Sequence, residues 1–264
     1  MGKTLLIGAG AMGGALLKGA LEAGLWLASD VDVMVKRPEH AQELSNTFGV
    51  ATYTVLPDCS TYDCIVLGVK PQVLPSVLAQ MDSVKAGTTL ISIAAGVPLA
   101  KLETALGQGH WYRVMPNTPA AVGLGMSAIC VGSQATEKET KAVQALFDGV
   151  GQTAIVSEQD LDRMSTIAGC GPGYLAVVLD ALADAGVRIG LPRSLAIQCA
   201  AQTMYGTGAW AVQTGLHPAI LRDQVTSPGG TTIAGIAAME DKGLRAAIQA
   251  GVVAALKRNE ELGN

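Results

Sequence analysis

Leu5-Leu6-Ile7-Gly8-Ala9-Gly10-Ala11-Met12-Gly13-Gly14-Ala15 decides the fold of this chain. An apolar run of strand length meets a Gly-x-Gly-x-x-Gly turn, and an Ala/Leu-rich helical pattern follows at once. Gly8 allows the tight turn. Gly10 lets backbone approach a pyrophosphate with no side chain in the way, and Gly13 lets the helix pack closely on the strand. The helix start then aims unsatisfied N–H groups at an anion. Glycine is common here, 32 of 264 residues, so the pattern gains its weight from its place at the first strand–helix junction. Gly8, Ala9, Gly10, Ala11, Met12 and Gly13 are the first candidate ligand-binding residues.

Outward from this turn, strand and helix patterns alternate. Residues 15–23 read as a helix closed by Gly24, 31–35 as a strand, and Pro38 opens another helix. Cys64-Ile65-Val66-Leu67-Gly68-Val69 is a continuous apolar run, as expected of a strand buried on both faces. A helix over 75–84, a strand over 88–93, a helix to about residue 106 and a strand over 111–115 continue the pattern. Alternation of this kind implies right-handed βαβ units and a doubly wound parallel sheet, an α/β architecture of Rossmann type. Segments 126–131 and 154–156 extend it around a helix at 137–148.

From residue 157 only helical spacing remains. Ser157 with Glu158 and Asp160 reads as a helix start. Gly169-Cys170-Gly171-Pro172-Gly173 is expected to break that helix, and 174–187 to continue as another. Pro192 suits the first helical position of a long run toward Val212, and helices follow at 218–224, 231–240 and 244–261. The expected division is a dinucleotide-binding domain over 1–155 and an all-helical domain over 156–264. Helix positions in 174–213 are apolar nearly all round, for example Leu175-Ala176-Val177-Val178-Leu179. Such helices must be buried in a core or against another subunit. A homodimer through this half is the preferred reading, a compact monomeric helical core the other.

Composition excludes several classes. Hydrophobic residues make up 49% and charged residues 15%, with net charge −4 and 4% aromatics, so there is no basic footprint for nucleic acid. Five cysteines (Cys59, Cys64, Cys130, Cys170, Cys199), with no Cys-x-x-Cys pair, suit reduced thiols in a cytoplasmic protein and no metal site. No apolar run reaches spanning length without Gly, Pro or charge interrupting it, so a soluble protein with no membrane partner is expected. His40, His110 and His217 read as structural, His217 as a helix cap.

The cofactor is decided at the end of the second strand. An NAD-type domain should place an acid there for the ribose 2′-hydroxyl. Asp30 and Asp32 tempt by spacing, yet both fall at the beginning of the strand, whereas Lys36 and Arg37 stand at its carboxyl end. Two cations there attract a 2′-phosphate, arginine bidentately, so NADPH is expected over NADH, which would bind more weakly. A second cluster, Val225-Thr226-Ser227-Pro228-Gly229-Gly230-Thr231-Thr232, is a Pro/Gly turn feeding a helix N-terminus. It either presents N–H groups to a small anion such as a carboxylate or is an ordinary inter-helix turn.

The stretch Leu221-Arg222-Asp223-Gln224-Val225-Thr226-Ser227-Pro228-Gly229-Gly230-Thr231-Thr232 closely resembles the signature of pyrroline-5-carboxylate reductases. The resemblance runs through most of the chain. It includes the first glycine turn, Val69-Lys70-Pro71-Gln72, Ala94-Ala95-Gly96-Val97 and Arg113-Val114-Met115-Pro116-Asn117-Thr118-Pro119. It also takes in residues 181–187 and Gly190-Leu191-Pro192-Arg193. It implies reduction of L-1-pyrroline-5-carboxylate to L-proline with NAD(P)H, the last step of proline biosynthesis. It further implies a Rossmann domain followed by a helical dimerisation and substrate-binding domain, as a homodimer or ring of dimers.

Carried over to this sequence, the nicotinamide side would meet Val69, Lys70, Ala94, Ala95 and the Met115-Pro116-Asn117 turn. The substrate carboxylate would lie on Gly229, Gly230 and Thr231, with the Thr232 hydroxyl near the ring nitrogen as the catalytic group. Lys70 keeps a second reading, a surface charge closing its strand. Cys170 stands where many relatives carry serine and is expected to be small and buried. Gln224 stands where some carry asparagine, and Leu56-Pro57-Asp58 leaves the adenine side unassigned. Two alternatives stay open: another NADPH-dependent imine or β-hydroxyacid reductase, or a non-catalytic NADPH-binding sensor.

Overall fold

The computed structural model describes residues 2–263. Its first part alternates as the glycine turn predicts: β1 (Thr4–Ile7), α1 (Ala11–Glu22), β2 (Val31–Met34), α2 (Pro38–Phe48), β3 (Ala51–Tyr53), β4 (Cys64–Leu67), α3 (Leu74–Leu78), β5 (Thr89–Ser92), α4 (Leu99–Ala105), β6 (His110–Met115), β7 (Gly125–Val131), α5 (Glu137–Asp148) and β8 (Gly151–Ile155). The strands form one sheet in the order β3-β2-β1-β4-β5-β6-β7-β8. Chain direction reverses its walk across the sheet between β1 and β4, the crevice where doubly wound sheets bind ligands.

Three differences from the sequence reading have physical causes. Helix α1 begins at Ala11, not residue 15, because packing overrides the poor helix propensity of Gly13 and Gly14. Strand β3 is short and mostly exposed, so it lacks the apolar run by which the other strands are read. The sheet is not wholly parallel: β6 pairs with β7 antiparallel, and parallel order returns at β7–β8. Residues 116–124 are too few for a parallel crossover, which needs about a dozen or more.

Alternation along the strands fills two cores. Leu6, Val33, Val66 and Ile91 face α1 and α5 with Leu16, Leu17 and Phe147. Leu5, Ile7, Ile65, Leu67 and Leu90 face the other way, with Leu74, Leu102 and Trp111. Each such side chain contributes about 1.5–3 kcal/mol by leaving water. Cys59 and Cys64 are buried here, and burial pushes their thiols up to about 11 and about 12, which makes them unreactive.

Helices follow: α6 (Glu158–Met164), α7 (Gly171–Arg188), α8 (Arg193–Thr214), α9 (Pro218–Gln224), α10 (Thr231–Asp241) and α11 (Leu244–Gly263). The Ser157 side chain accepts the Asp160 N–H at the start of α6, as its spacing predicts. The expected break at 169–173 is corrected. Residues Ser165–Gly169 wind as a π turn and helix runs on through Glu158–Arg188. Cys170, at the end of that turn, is exposed and not buried.

The chain divides into two compact units, Gly171–Ala254 being one. Helix α6 stays with the sheet because Arg113 of β6, 2% exposed, pairs with Glu158 at 2.9 Å and Asp162 at 2.6 Å. Glu158 Oε1 also accepts the Leu99 N–H that opens α4, at 2.7 Å. In Gly171–Ala254 the small residues Ala183, Ala196 and Ala200 are buried where α7 and α8 meet. Val177, Ile189 and Val212 are 70%, 81% and 65% exposed.

Candidate functional site

The carboxyl ends of β1, β2 and β4 converge on the first glycine turn. The Gly8 N–H donates to the Met34 carbonyl and the Gly68 N–H to the Ile7 carbonyl, each at 2.8 Å. Gly8 has φ +92°, and a Cβ there would lie 2.9 Å from the Gly68 carbonyl. A Cβ on Gly13 would run into the Gly8 carbonyl oxygen. These two glycines are therefore explained by the protein's own packing. Gly10 differs: a Cβ there would meet no protein atom within 4 Å, and Gly10 lines a cavity of about 280 Å³.

The cavity is built to receive an anion. Gly10 caps α1 without a side-chain hydrogen bond, so the N–H groups of Ala11, Met12 and Gly13 have no acceptor within the helix. Across from them stand Lys36 and Arg37, with Val69 and Lys70 closing the β4 side. Among the described residues none of Lys36, Arg37 and Lys70 has an ion-pair partner, and no carboxylate lines the cavity. His40, in the first turn of α2, lines it too.

Asp32 is accounted for otherwise. It is 4% exposed inside β2, accepts the Tyr62 hydroxyl at 2.7 Å and pairs with Lys3 at 3.2 Å. It serves the fold, as its position at the strand's beginning suggests.

Four further candidates lie at the same edge of the sheet, on adjacent strands. Ala94 and Ala95 follow β5, the first buried and the second exposed ahead of Gly96 at φ +72°. Met115 ends β6, half-buried. The Asn117 side chain is engaged by the protein: Nδ2 donates to the Ala168 carbonyl and Oδ1 accepts the Met126 N–H, both at 2.9 Å. Any contact it makes with a ligand falls to its backbone or its second amide hydrogen.

The second glycine turn belongs to the helical unit. Gly229 has φ +66°, and the Gly230 N–H closes the turn on the Ser227 carbonyl at 2.9 Å. A Cβ on Gly230 would run into Ser227 Oγ. Gly230 caps α10 with no side-chain hydrogen bond, so the first-turn amides from Thr231 onward lack helical acceptors. Thr231 and Thr232 are exposed. Among the described residues no group of His, Cys, Asp and Glu could hold a metal ion.

The chain is similar to known proteins over nearly its whole length. Residues 158–262 match the family "Pyrroline-5-carboxylate reductase dimerisation", and residues 3–96 match "NADP oxidoreductase coenzyme F420-dependent". A pyrroline-5-carboxylate reductase of Arabidopsis thaliana is 38% identical over 98% of this chain and 95% of its own length. That of Escherichia coli K12 is 34% identical over 98% of each chain. Among solved structures, Plasmodium falciparum pyrroline carboxylate reductase with NADP bound superposes with TM-score 0.87 at 28% identity, covering 99% of this chain and 98% of that one. The Coxiella burnetii pyrroline-5-carboxylate reductase gives 0.89 at 26%, covering 100% and 99%. Helix Glu158–Arg188 is by length and composition apolar enough to cross a membrane, but it lies within the dimerisation match.

Proposed function

The chain belongs to the pyrroline-5-carboxylate reductase family, and on that premise we propose that it reduces L-1-pyrroline-5-carboxylate to L-proline with NADPH. The observation that carries the cofactor reading is the cavity lined by Gly10, Lys36 and Arg37, neither cation having an ion-pair partner among the described residues. The bare backbone and the α1 amides would hold the pyrophosphate. Lys36 and Arg37 would hold the 2′-phosphate that distinguishes NADPH from NADH, with His40 beside them. Val69, Lys70, Ala94, Ala95, Met115 and Asn117 would border the nicotinamide, along the edge where their strands end.

When bound, NADPH supplies the hydride; the protein's task is to hold, orient and dehydrate. In the helical unit the Gly229-Gly230-Thr231 turn would take the substrate carboxylate, Thr231 offering the first open amide. The Thr232 hydroxyl would donate a hydrogen bond to the ring nitrogen as its positive charge falls. A protonated imine is already electrophilic, so the chain needs no nucleophilic cysteine or metal for this step. The working division is a dinucleotide domain over 1–155 and a substrate and dimerisation domain over 156–264. A homodimer or a ring of dimers in the cytoplasm is the form in which the exposed apolar helices would be covered.

The test is NADPH oxidation by the full chain with pyrroline-5-carboxylate, read at the reduced-nicotinamide absorbance. Turnover to proline is expected. Turnover only with other cyclic imines, or only in reverse with hydroxy acids, would move the assignment to another reductase. NADPH binding with no turnover on any of them would make the protein a sensor.

A further inference from the structure

The helix that runs through Glu158–Arg188 contains Pro172. In an α-helix the N–H of residue 172 would donate to the carbonyl of Ala168, and proline has none to give. The missing N–H leaves that carbonyl without its helical donor, and the proline ring crowds the preceding turn. Two features answer it. Residues Ser165–Gly169 relax into a π turn, the Cys170 N–H reaching back to the Ser165 carbonyl at 2.9 Å. The Ala168 carbonyl, half-buried, receives its donor from outside the helix, from Asn117 Nδ2 at 2.9 Å.

The other end of the same amide accepts the Met126 N–H of β7 at 2.9 Å, and Asn117 is 8% exposed. One planar group with a donor at one end and an acceptor at the other thus joins three segments: the exit of β6, the start of β7 and the π turn. Aspartate has no donor for the carbonyl, and serine cannot span both partners. Asn117 stands two residues beyond Met115, in the turn proposed to border the nicotinamide.

We infer that Asn117 is a positioning residue: by supplying the hydrogen bond that Pro172 denies to Ala168, it fixes the Met115-Pro116-Asn117 turn against the π turn and so holds the nicotinamide edge of the site. The inference rests on the proposed reductase function. It makes Asn117 and Pro172 two halves of one device, although the side chains need not meet. Restoring an N–H at 172 should make the Asn117 donor partly redundant.

The experiment compares wild type, Asn117→Ala, Pro172→Ala and the double variant, in kinetics and in the melting of the protein without cofactor. Asn117→Ala should lower kcat about tenfold, as a misplaced turn does, with the KM for NADPH changed less than about twofold. Pro172→Ala should stay near wild type in kcat. The double variant should recover part of both losses, kcat to within about threefold and the melting temperature by a measurable coupling. Recovery stays partial because the Met126 N–H remains unpaired. Asn117→Asp, which keeps that acceptor and loses only the donor, should resemble Asn117→Ala in kcat.

A double variant as slow and as unstable as Asn117→Ala overturns the device. Recovered melting without recovered kcat overturns the positioning role and leaves a structural bridge. If the wild type reduces no pyrroline-5-carboxylate, the functional reading fails and the positioning role with it. The melting of the four cofactor-free proteins then still shows whether residues 117 and 172 are coupled.

Discussion

Val66 and Val177 are the same side chain in opposite circumstances, the first fully buried in β4 and the second 70% exposed on α7. The sheet unit closes its own core. Strands feed Leu5, Leu6, Val66 and Ile91 to two faces, and a helix layer covers each. The unit Gly171–Ala254 is as apolar in sequence but buries chiefly alanines where α7 meets α8, leaving Leu175, Val177, Ile189 and Tyr205 outside. Exposed apolar side chains in such number on a helical unit are what an interface presents. The match of residues 158–262 to a dimerisation family accounts for it. One unit covers its own apolar side chains, and the other leaves several of them exposed.

The largest expected effect falls on that second unit. Val177→Asp should reduce the protein to a monomer by light scattering and abolish turnover, because a carboxylate in an apolar interface has no partner. Leu27→Asp puts the same charge at a 62% exposed leucine of the sheet unit and should leave size and activity alone. Equal behaviour of the two variants would erase the contrast between the units.

A second pair separates the units by chemistry. Arg37→Ala should lower the NADPH-to-NADH ratio of kcat/KM about 10- to 100-fold, the worth of a lost charge-assisted hydrogen bond. Turnover with saturating NADPH should change little. Thr232→Ala should do the reverse, lowering kcat about 10-fold or more while NADPH affinity holds. A shift in cofactor preference on Thr232→Ala, or an unaltered ratio on Arg37→Ala, would show that selectivity and turnover are not divided as proposed.

The two units were also unequally legible in the sequence. Continuous apolar runs such as Cys64–Leu67 announce buried strands, and Gly8 and Gly13 announce a turn that packs backbone on backbone. Side-chain caps were readable from residue type: His217 accepts the Ala219 N–H at 3.2 Å through Nδ1, as its place before Pro218 suggests. What stayed hidden was compensation at a distance. Glycine and proline at 169–173 signal a break by every local rule, yet the helix runs on through a π turn whose Ala168 carbonyl is met by Asn117, far off in sequence. Cys170, where many relatives carry serine, is expected to be small and buried, yet it is exposed at the end of the π turn. His40 reads as structural because a histidine in a first helical turn has that explanation ready. Only the cavity beside Lys36 and Arg37 shows what it faces.

The smallest effect concerns acid, and it too should sort with the sheet unit. The carboxyls held below their usual range are Asp58, Asp63, Glu139 and Asp160, none of them within Gly171–Ala254. Glu139 is the most informative. Burial alone would raise it, but hydrogen bonds from Thr136 and His110 outweigh that and hold it low. Its oxygens accept the Thr136 N–H at 2.8 Å and hydroxyl at 2.7 Å, and lie 2.8 Å from His110 Nδ1. A carboxyl depressed in the folded state stabilises above its unfolded value, about 4.3 for glutamate. That stabilisation fades as pH falls through the lower folded value. Glu139→Gln should therefore melt a few degrees below wild type at neutral pH, in keeping with about 1 kcal/mol for a helix cap. The gap should close as the buffer is taken below the unfolded value and through the lower folded one, where wild-type Glu139 becomes protonated. A gap that stays constant across that range would mean the capping box is held by shape and hydrogen bonding alone, with charge adding nothing.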